Sequence, residues 1–124
     1  DLYGKIYYYQ NDEFRLDKYF ENHKIRLISC GYDSEHALLL TMNNKLYGYG
    51  NNEHCQLGTN SNKGSWVDAI NIELNIKDSI IKICCGHDYS LILTINGKVF
   101  GCGRNNHYQI GLSYDDVYET FTII

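Results

Sequence analysis

No apolar run in the 124 residues reaches the ~18 that a membrane-spanning helix requires, so a helical membrane span is excluded and no membrane partner is expected. No secretory leader is visible either, and the only Met is Met42, well inside the chain, so the sequence is expected to be processed or excerpted from something longer. No block of five like charges occurs and the net charge is −4. Binding to a phosphate backbone needs a basic stripe, so no nucleic-acid partner is expected. Five Cys cannot pair completely within one chain. They are expected to be small buried hydrophobes in a reducing, intracellular and cytoplasmic setting.

Chemical motifs are equally scarce. His54-Cys55, Cys84-Cys85 and Cys102 lack the paired Cys or His spacings of structural zinc, so no metal is expected. Asp33, Asp88, His36, His87 and His107 have no nucleophile elbow or metal-hydrolase signature to serve, so no catalytic residue is expected. Gly-x-Gly occurs without the third glycine and following helix of a dinucleotide fingerprint, and no cofactor is expected.

What is abundant points to strands and turns. Fourteen Ile and twelve Tyr suit half-buried pleated surfaces, while thirteen Asn and eleven Gly suit turns and left-handed backbone. The decisive feature is a repeat. Residues 28–58 and 83–111 align from Thr41 onward at a constant offset of 53: Thr41 with Thr94, Gly48 with Gly101, Gly50 with Gly103, Asn52 with Asn105, Gln56 with Gln109. Before Thr41 the offset is 55, so the first copy carries two extra residues in its Tyr32–Glu35 loop. An eroded half-copy opens the chain, where Lys5-Ile6-Tyr7 matches Lys45-Leu46-Tyr47.

Each copy holds a hairpin signal. His36–Met42 and Lys45–Tyr49 flank Asn43-Asn44, and Leu91–Ile95 and Lys98–Cys102 flank Asn96-Gly97, pairs that suit type I′ turns. Ile28–Cys30 and Ile81–Cys85 read as a strand before each hairpin, and Ala69–Leu74 as an outer strand. Phe121–Ile124 resembles the start of that outer strand. The expectation is an all-β chain of antiparallel four-stranded blades from a β-propeller, a partial, unclosed ring of about two to three blades. Its divisions are 1–27, a degenerate half-blade and outer strand; 28–82, the first repeat with its linker strand; and 83–124, the second repeat and the start of the next blade. Gly50, Gly58, Gly103 and Gly111 bracket an Asn-rich loop, read as the blade's own staple.

Cys85-Gly86, Leu91–Thr94, Gly97–Gly101, Gly103, Asn105 and Gln109–Gly111 together resemble the regulator of chromosome condensation repeat. The first copy does so through Cys30-Gly31, His36–Thr41, Lys45–Gly48, Gly50, Asn52 and Gln56–Gly58. Where the family usually has Trp between two glycines this chain has Tyr49 and Cys102, and the proline common in family outer strands is absent. The resemblance implies a ring of about seven blades. The missing ones would come from the parent chain or another copy, since each uncovered blade face of roughly 600 Å² forfeits on the order of 15 kcal/mol gross.

The expected function is a non-catalytic scaffold that binds a protein partner through face loops. Candidate contacts are Tyr32, Asp33, Glu35, His87, Asp88 and Tyr89 on one face, with Asn52–Gln56 and Arg104–Gln109, including Arg104 and Tyr108, in the other loop set. The resemblance implies an alternative, guanine-nucleotide exchange on a Ran-like small GTPase. That activity needs a β-wedge insertion for which the 59–66 loop is too short. A third reading is a proteinaceous inhibitor or effector that clamps a target protein.

Overall fold

Period-two burial organises the strands. In Tyr89–Thr94 the even residues Ser90, Ile92 and Thr94 are buried and the odd ones half-buried. The computed structural model describes residues 6–10, 12–31, 33–60, 64, 66–113 and 115–124, with backbone alone at 7–10 and 13–16. Among the described residues ten strands follow in chain order: β1 Tyr7–Gln10, β2 Glu13–Leu16, β3 Ile25–Cys30, β4 His36–Thr41, β5 Leu46–Asn51, β6 Trp66–Ile72, β7 Ile80–Cys85, β8 Tyr89–Thr94, β9 Val99–Arg104 and β10 Val117–Ile123. A 3₁₀ turn, Lys18–Phe20, separates β2 from β3. Among the described residues no helix is long and apolar enough to cross a membrane.

All pairings are antiparallel between neighbours, giving a β1-β2 hairpin and two four-stranded meanders, β3-β4-β5-β6 and β7-β8-β9-β10. These are the expected four-stranded blades, and they do not close into a ring. The expected strands are present, several of them longer: the strand read from Ile28 begins at Ile25, and the outer strand read from Ala69 begins at Trp66.

The hairpin turns differ from expectation. Only one residue in each turn, Asn44 (φ 63°) or Gly97 (φ 78°), is left-handed. Thr41 pairs with Lys45 through Thr41 N to Lys45 O at 2.9 Å, and Thr94 pairs with Lys98 in the same way. Each loop is therefore three residues long, a type I turn followed by a left-handed residue, rather than a two-residue type I′ turn. The Thr side chain explains the choice. Thr41 Oγ1 accepts from Lys45 N at 3.0 Å, and Thr94 Oγ1 accepts from Lys98 N at 3.3 Å, which satisfies the amide that the extra residue displaces.

The core lies between the two meanders. Leu38, Leu40, Leu46, Leu57, Val67 and Ile72 of the first pack against Ile80, Ile83, Cys85 and Ile92 of the second. Leu57 reaches this layer because Gly48 leaves room: a Cβ there would lie 3.0 Å from Leu57 Cδ2. On the opposite face of the first sheet Phe20, Leu39 and Tyr47 form a smaller cluster with Ile6, Ile25, Tyr49 and Ala69. In the second sheet Leu91, Leu93 and Val99 stand at the repeat positions of Leu38, Leu40 and Leu46, yet are only half-buried, because among the described residues no further sheet covers that face.

Cysteine burial follows the same logic and corrects the expectation of five buried thiols. Cys55, Cys85 and Cys102 are buried between the sheets, while Cys30 and Cys84 are exposed. Cys30 holds the repeat position of Cys85 but faces the side where only the short hairpin precedes it.

The loop after β5 crosses to the neighbouring sheet. Gly58, at φ +70°, is so close to β10 that a Cβ would meet the Phe121 ring at 2.4 Å. Gly64 has a similar φ of +77° with nothing near it. Gly64→Ala should therefore cost about 1–2 kcal/mol from backbone alone, and Gly58→Ala on the order of 1–3 kcal/mol more from the displaced ring. Urea midpoints of the two variants, measured side by side, test the difference.

Candidate functional site

In a four-stranded meander the connection between strands one and two and that between strands three and four emerge at the same end. The loops after β3 and β7 therefore lie beside those after β5 and β9, not on the opposite face as the sequence reading had it. Backbone bonds fix the adjacency: Asn51 N donates to Glu35 O at 2.8 Å, and Arg104 N to Asp88 O at 2.8 Å.

Each Asn-rich loop is held by one buried asparagine. Asn52 Oδ1 accepts from Leu57 N at 3.0 Å while its Nδ2 donates to Thr59 O at 2.9 Å. Asn105 repeats the arrangement with Ile110 N at 3.1 Å and Leu112 O at 2.7 Å. Gln56 Oε1 and Gln109 Oε1 each accept from the amide two residues earlier, at 2.9 Å. All four bracketing glycines have positive φ, as expected of a staple.

The candidate contact residues separate into groups on this frame. Asp88 gathers His87 Nδ1 at 2.8 Å and Arg104 Nη1 at 3.3 Å on its Oδ2. Burial alone would raise the Asp88 carboxyl, but the hydrogen bonds from His87 and Arg104 outweigh it and hold the group below its ordinary value. Arg104 Nε also donates to Asn106 Oδ1 at 3.0 Å. Glu35 is exposed and Glu35 Oε2 accepts from Asn51 Nδ2 at 3.0 Å. Asp33 is exposed with φ 54°, and Tyr108 is 69% exposed with φ 56°. Tyr89 is half-buried, its ring lying over Gly86, where a Cβ would meet Tyr89 Cε1 at 2.2 Å. It is a packing residue more than an exposed anchor. Tyr32 lies outside the described residues.

Beneath the loops runs a polar bridge that sequence reasoning missed. Ser90 Oγ donates to Gln56 O at 2.7 Å and lies 2.8 Å from His36 Nε2. With the serine proton on the carbonyl, the His36 contact takes Nε2–H as its donor, while His36 Nδ1 lies 3.2 Å from Ser34 Oγ. His36 and Gln56 belong to the first sheet and its loop, Ser90 to the second. A second link joins the inner strands: Cys85 N donates to Ser29 Oγ at 3.0 Å, and Arg26 bonds the Ile80 carbonyl. The repeat alignment hides these contacts because they join unlike positions: Ser90 stands where the first copy has Ala37, and His36 where the second has Tyr89.

Among the described residues no three His, Cys, Asp or Glu side chains gather to hold a metal ion. Two of the buried thiols, Cys85 and Cys102, are held in the protonated form by their surroundings. Burial pushes Cys85 up to about 11 and Cys102 well above its ordinary value.

Two models of the regulator of chromosome condensation (RCC1) repeat match residues 43–93 and 80–109. The chain belongs to the RCC1 repeat family. It is 34% identical over 123 residues to the X-linked retinitis pigmentosa GTPase regulator of Canis lupus familiaris, covering 98% of this chain and 12% of that protein. It is 35% identical over 89 residues to protein RCC2 of Mus musculus, covering 72% of this chain and 17% of that protein. The chain thus spans well under a fifth of those relatives. Among solved structures, Prp20p of Saccharomyces cerevisiae, described with its binding properties to Gsp1p and histones, superposes with a TM-score of 0.76 at 25% identity, covering 92% of this chain and 29% of that one. Human WBSCR16 superposes with a TM-score of 0.71 at 26% identity, covering 82% and 26%. The two meanders are consecutive blades of an RCC1-type β-propeller.

The joint between these blades should respond to acid. Burial lowers His36 from 6.5 to about 4, Asp88 pulling it up and His87 down by less. A folded pKa below the unfolded one favours the neutral ring, so its stabilisation is complete above pH 6.5 and is lost as pH falls toward 4. The loss should total roughly 3 kcal/mol. Asp88, depressed below 3.8, keeps its own contribution throughout that window. Urea unfolding between pH 7 and 4 should show a steeper loss of stability for the native chain than for His36→Gln. Parallel curves would refute the assignment.

Proposed function

We propose that this RCC1-type chain is a non-catalytic scaffold that recognises a protein partner through the loops gathered at one end of its blades. The observation that carries the reading is the shared rim at which Arg104 and Tyr108, on the asparagine-stapled side, stand beside Asp33, Glu35, His87 and Asp88 of the adjoining loops, with Asn51 N and Arg104 N bonded to Glu35 O and Asp88 O. Ordered loops lose little conformational entropy on binding, and Arg and Tyr are frequent anchors of protein interfaces. The relatives support a protein partner, since Prp20p is described as binding Gsp1p and histones. The half-buried Leu91, Leu93 and Val99 support further blades, from a parent chain or another copy, packing on the second sheet. Five free thiols support an intracellular, cytoplasmic location.

Exchange on a Ran-like small GTPase is the second reading, favoured by the likeness to a protein named a GTPase regulator. One experiment separates the two. The chain is immobilised and exposed to a Ran-like GTPase loaded with fluorescent guanine nucleotide, with binding and nucleotide release recorded together. A scaffold retains the GTPase and leaves release at its spontaneous rate; an exchange factor accelerates it. Arg104→Glu should weaken capture about tenfold, a change of 1.4 kcal/mol. Neither capture nor release would count against both readings for this partner.

A further inference from the structure

A second surface lies away from the loop rim, on the outer part of the first blade. Tyr49 of β5, Asp68 and Ala69 of β6, and Asp17 and Tyr19 of the segment leading into β3 enclose a cleft of about 260 Å³. The Trp66 ring stands edge-on to Tyr49, with centroids 6.1 Å apart at 83°. Trp66 is 57% exposed and Tyr19 50% exposed. Single exposed aromatics are ordinary on protein surfaces. Tyr19 and the half-buried Tyr49 lining one cleft with two carboxylates, with Trp66 against Tyr49 at its margin, form a pattern with a chemical meaning.

Ring faces and carboxylates are all negative. Asp17 commits Oδ1 to the Tyr19 amide at 2.9 Å, an internal use that leaves Oδ2 without a partner among the described residues. The Asp68 carboxylate makes no hydrogen bond or ion pair among the described residues. Such a site repels anions, offers little to a neutral apolar group, and suits a cation that carries an aliphatic stem to lie against the rings. Lys18, the basic side chain adjacent in sequence, is exposed and forms no ion pair among the described residues. We propose that this cleft receives a lysine or arginine side chain from an extended basic segment of a partner protein. The site is independent of the loop rim, so either can fail without the other.

Trp66 is the only tryptophan in the chain and its ring lies against Tyr49 of the cleft wall, so its emission reports on a change there. The native chain is titrated with a lysine-rich peptide, with the same peptide acetylated on every lysine, and with a glutamate-rich peptide. The expected result is a saturable change in Trp66 emission with the lysine peptide alone, weakening several-fold between low and physiological salt. Acetylation should reduce affinity at least tenfold, and Asp68→Asn about tenfold, with the far-UV spectrum unchanged. Tyr19→Leu should weaken binding as well; if it unfolds, Asp68→Asn carries the test, since its carboxylate has no partner to lose among the described residues. Arg104→Glu should leave the titration as it was. No saturable change, equal affinity in Asp68→Asn, equal binding of the glutamate peptide, or loss in Arg104→Glu would each overturn the proposal.

Discussion

A sheet with two apolar faces is unstable in water until both are covered, and the contact between the two meanders is where this chain meets that constraint. Leu38, Leu40 and Leu46 are almost wholly withdrawn from solvent because Ile80, Ile83 and Ile92 lie over them. The polar links across the same boundary give the contact its register. Ser29 with Cys85, Arg26 with the Ile80 carbonyl, and His36 with Ser90 are satisfied in only one alignment of the sheets. A displacement along the strands would leave the buried His36 and Ser90 unpaired, at about 1–3 kcal/mol each, and would break the part-buried links of Ser29 and Arg26. Apolar area supplies the attraction and the hydrogen bonds choose the arrangement.

That boundary also governs the loops. Gln56 belongs to the rim loop of the first blade, yet its carbonyl accepts from Ser90 Oγ and Cys102 Sγ of the second. Gly58 is pressed against Phe121 of the second blade's outer strand. The loop is thus bound from inside by Asn52 and from outside by its neighbour. A rim built this way cannot reorganise freely when the blades stay together, and it loosens when they part. Acid acting on His36 would be felt at the rim as well as in the core.

Much of the architecture was legible because repetition fixes it twice. Strand positions, the Asn-rich staples and their left-handed glycines follow from two aligned copies and from residue types with few conformational options. What the alignment could not express is the relation between copies. His36, Ser90 and Gln56 occupy three different repeat positions and meet only when one blade is laid on the next. The hairpin turns misled because Asn43-Asn44 and Asn96-Gly97 suit a two-residue turn by type, while Thr41 and Thr94 supply the hydroxyl that favours a longer one. Counting strand directions would have placed Asp88 and Arg104 on one end, since an antiparallel meander returns every second loop to the same side. The cleft of Tyr19, Tyr49 and Asp68 had no sequence signature, being assembled from three separate segments.

The asparagine staple has an implication for how such a rim can diversify. Asn52 and Asn105 spend their hydrogen bonds wholly on main-chain groups, so the loop's shape is written in two side chains and two glycines. The intervening side chains of Glu53 and His54 in one copy and of His107 in the other make no hydrogen bond among the described residues, while Asn106 bonds only its rim neighbours Arg104 and Gln109. Neighbouring blades can therefore carry unlike chemistry on like frames, and a surface of this kind can change what it recognises while its skeleton stands still.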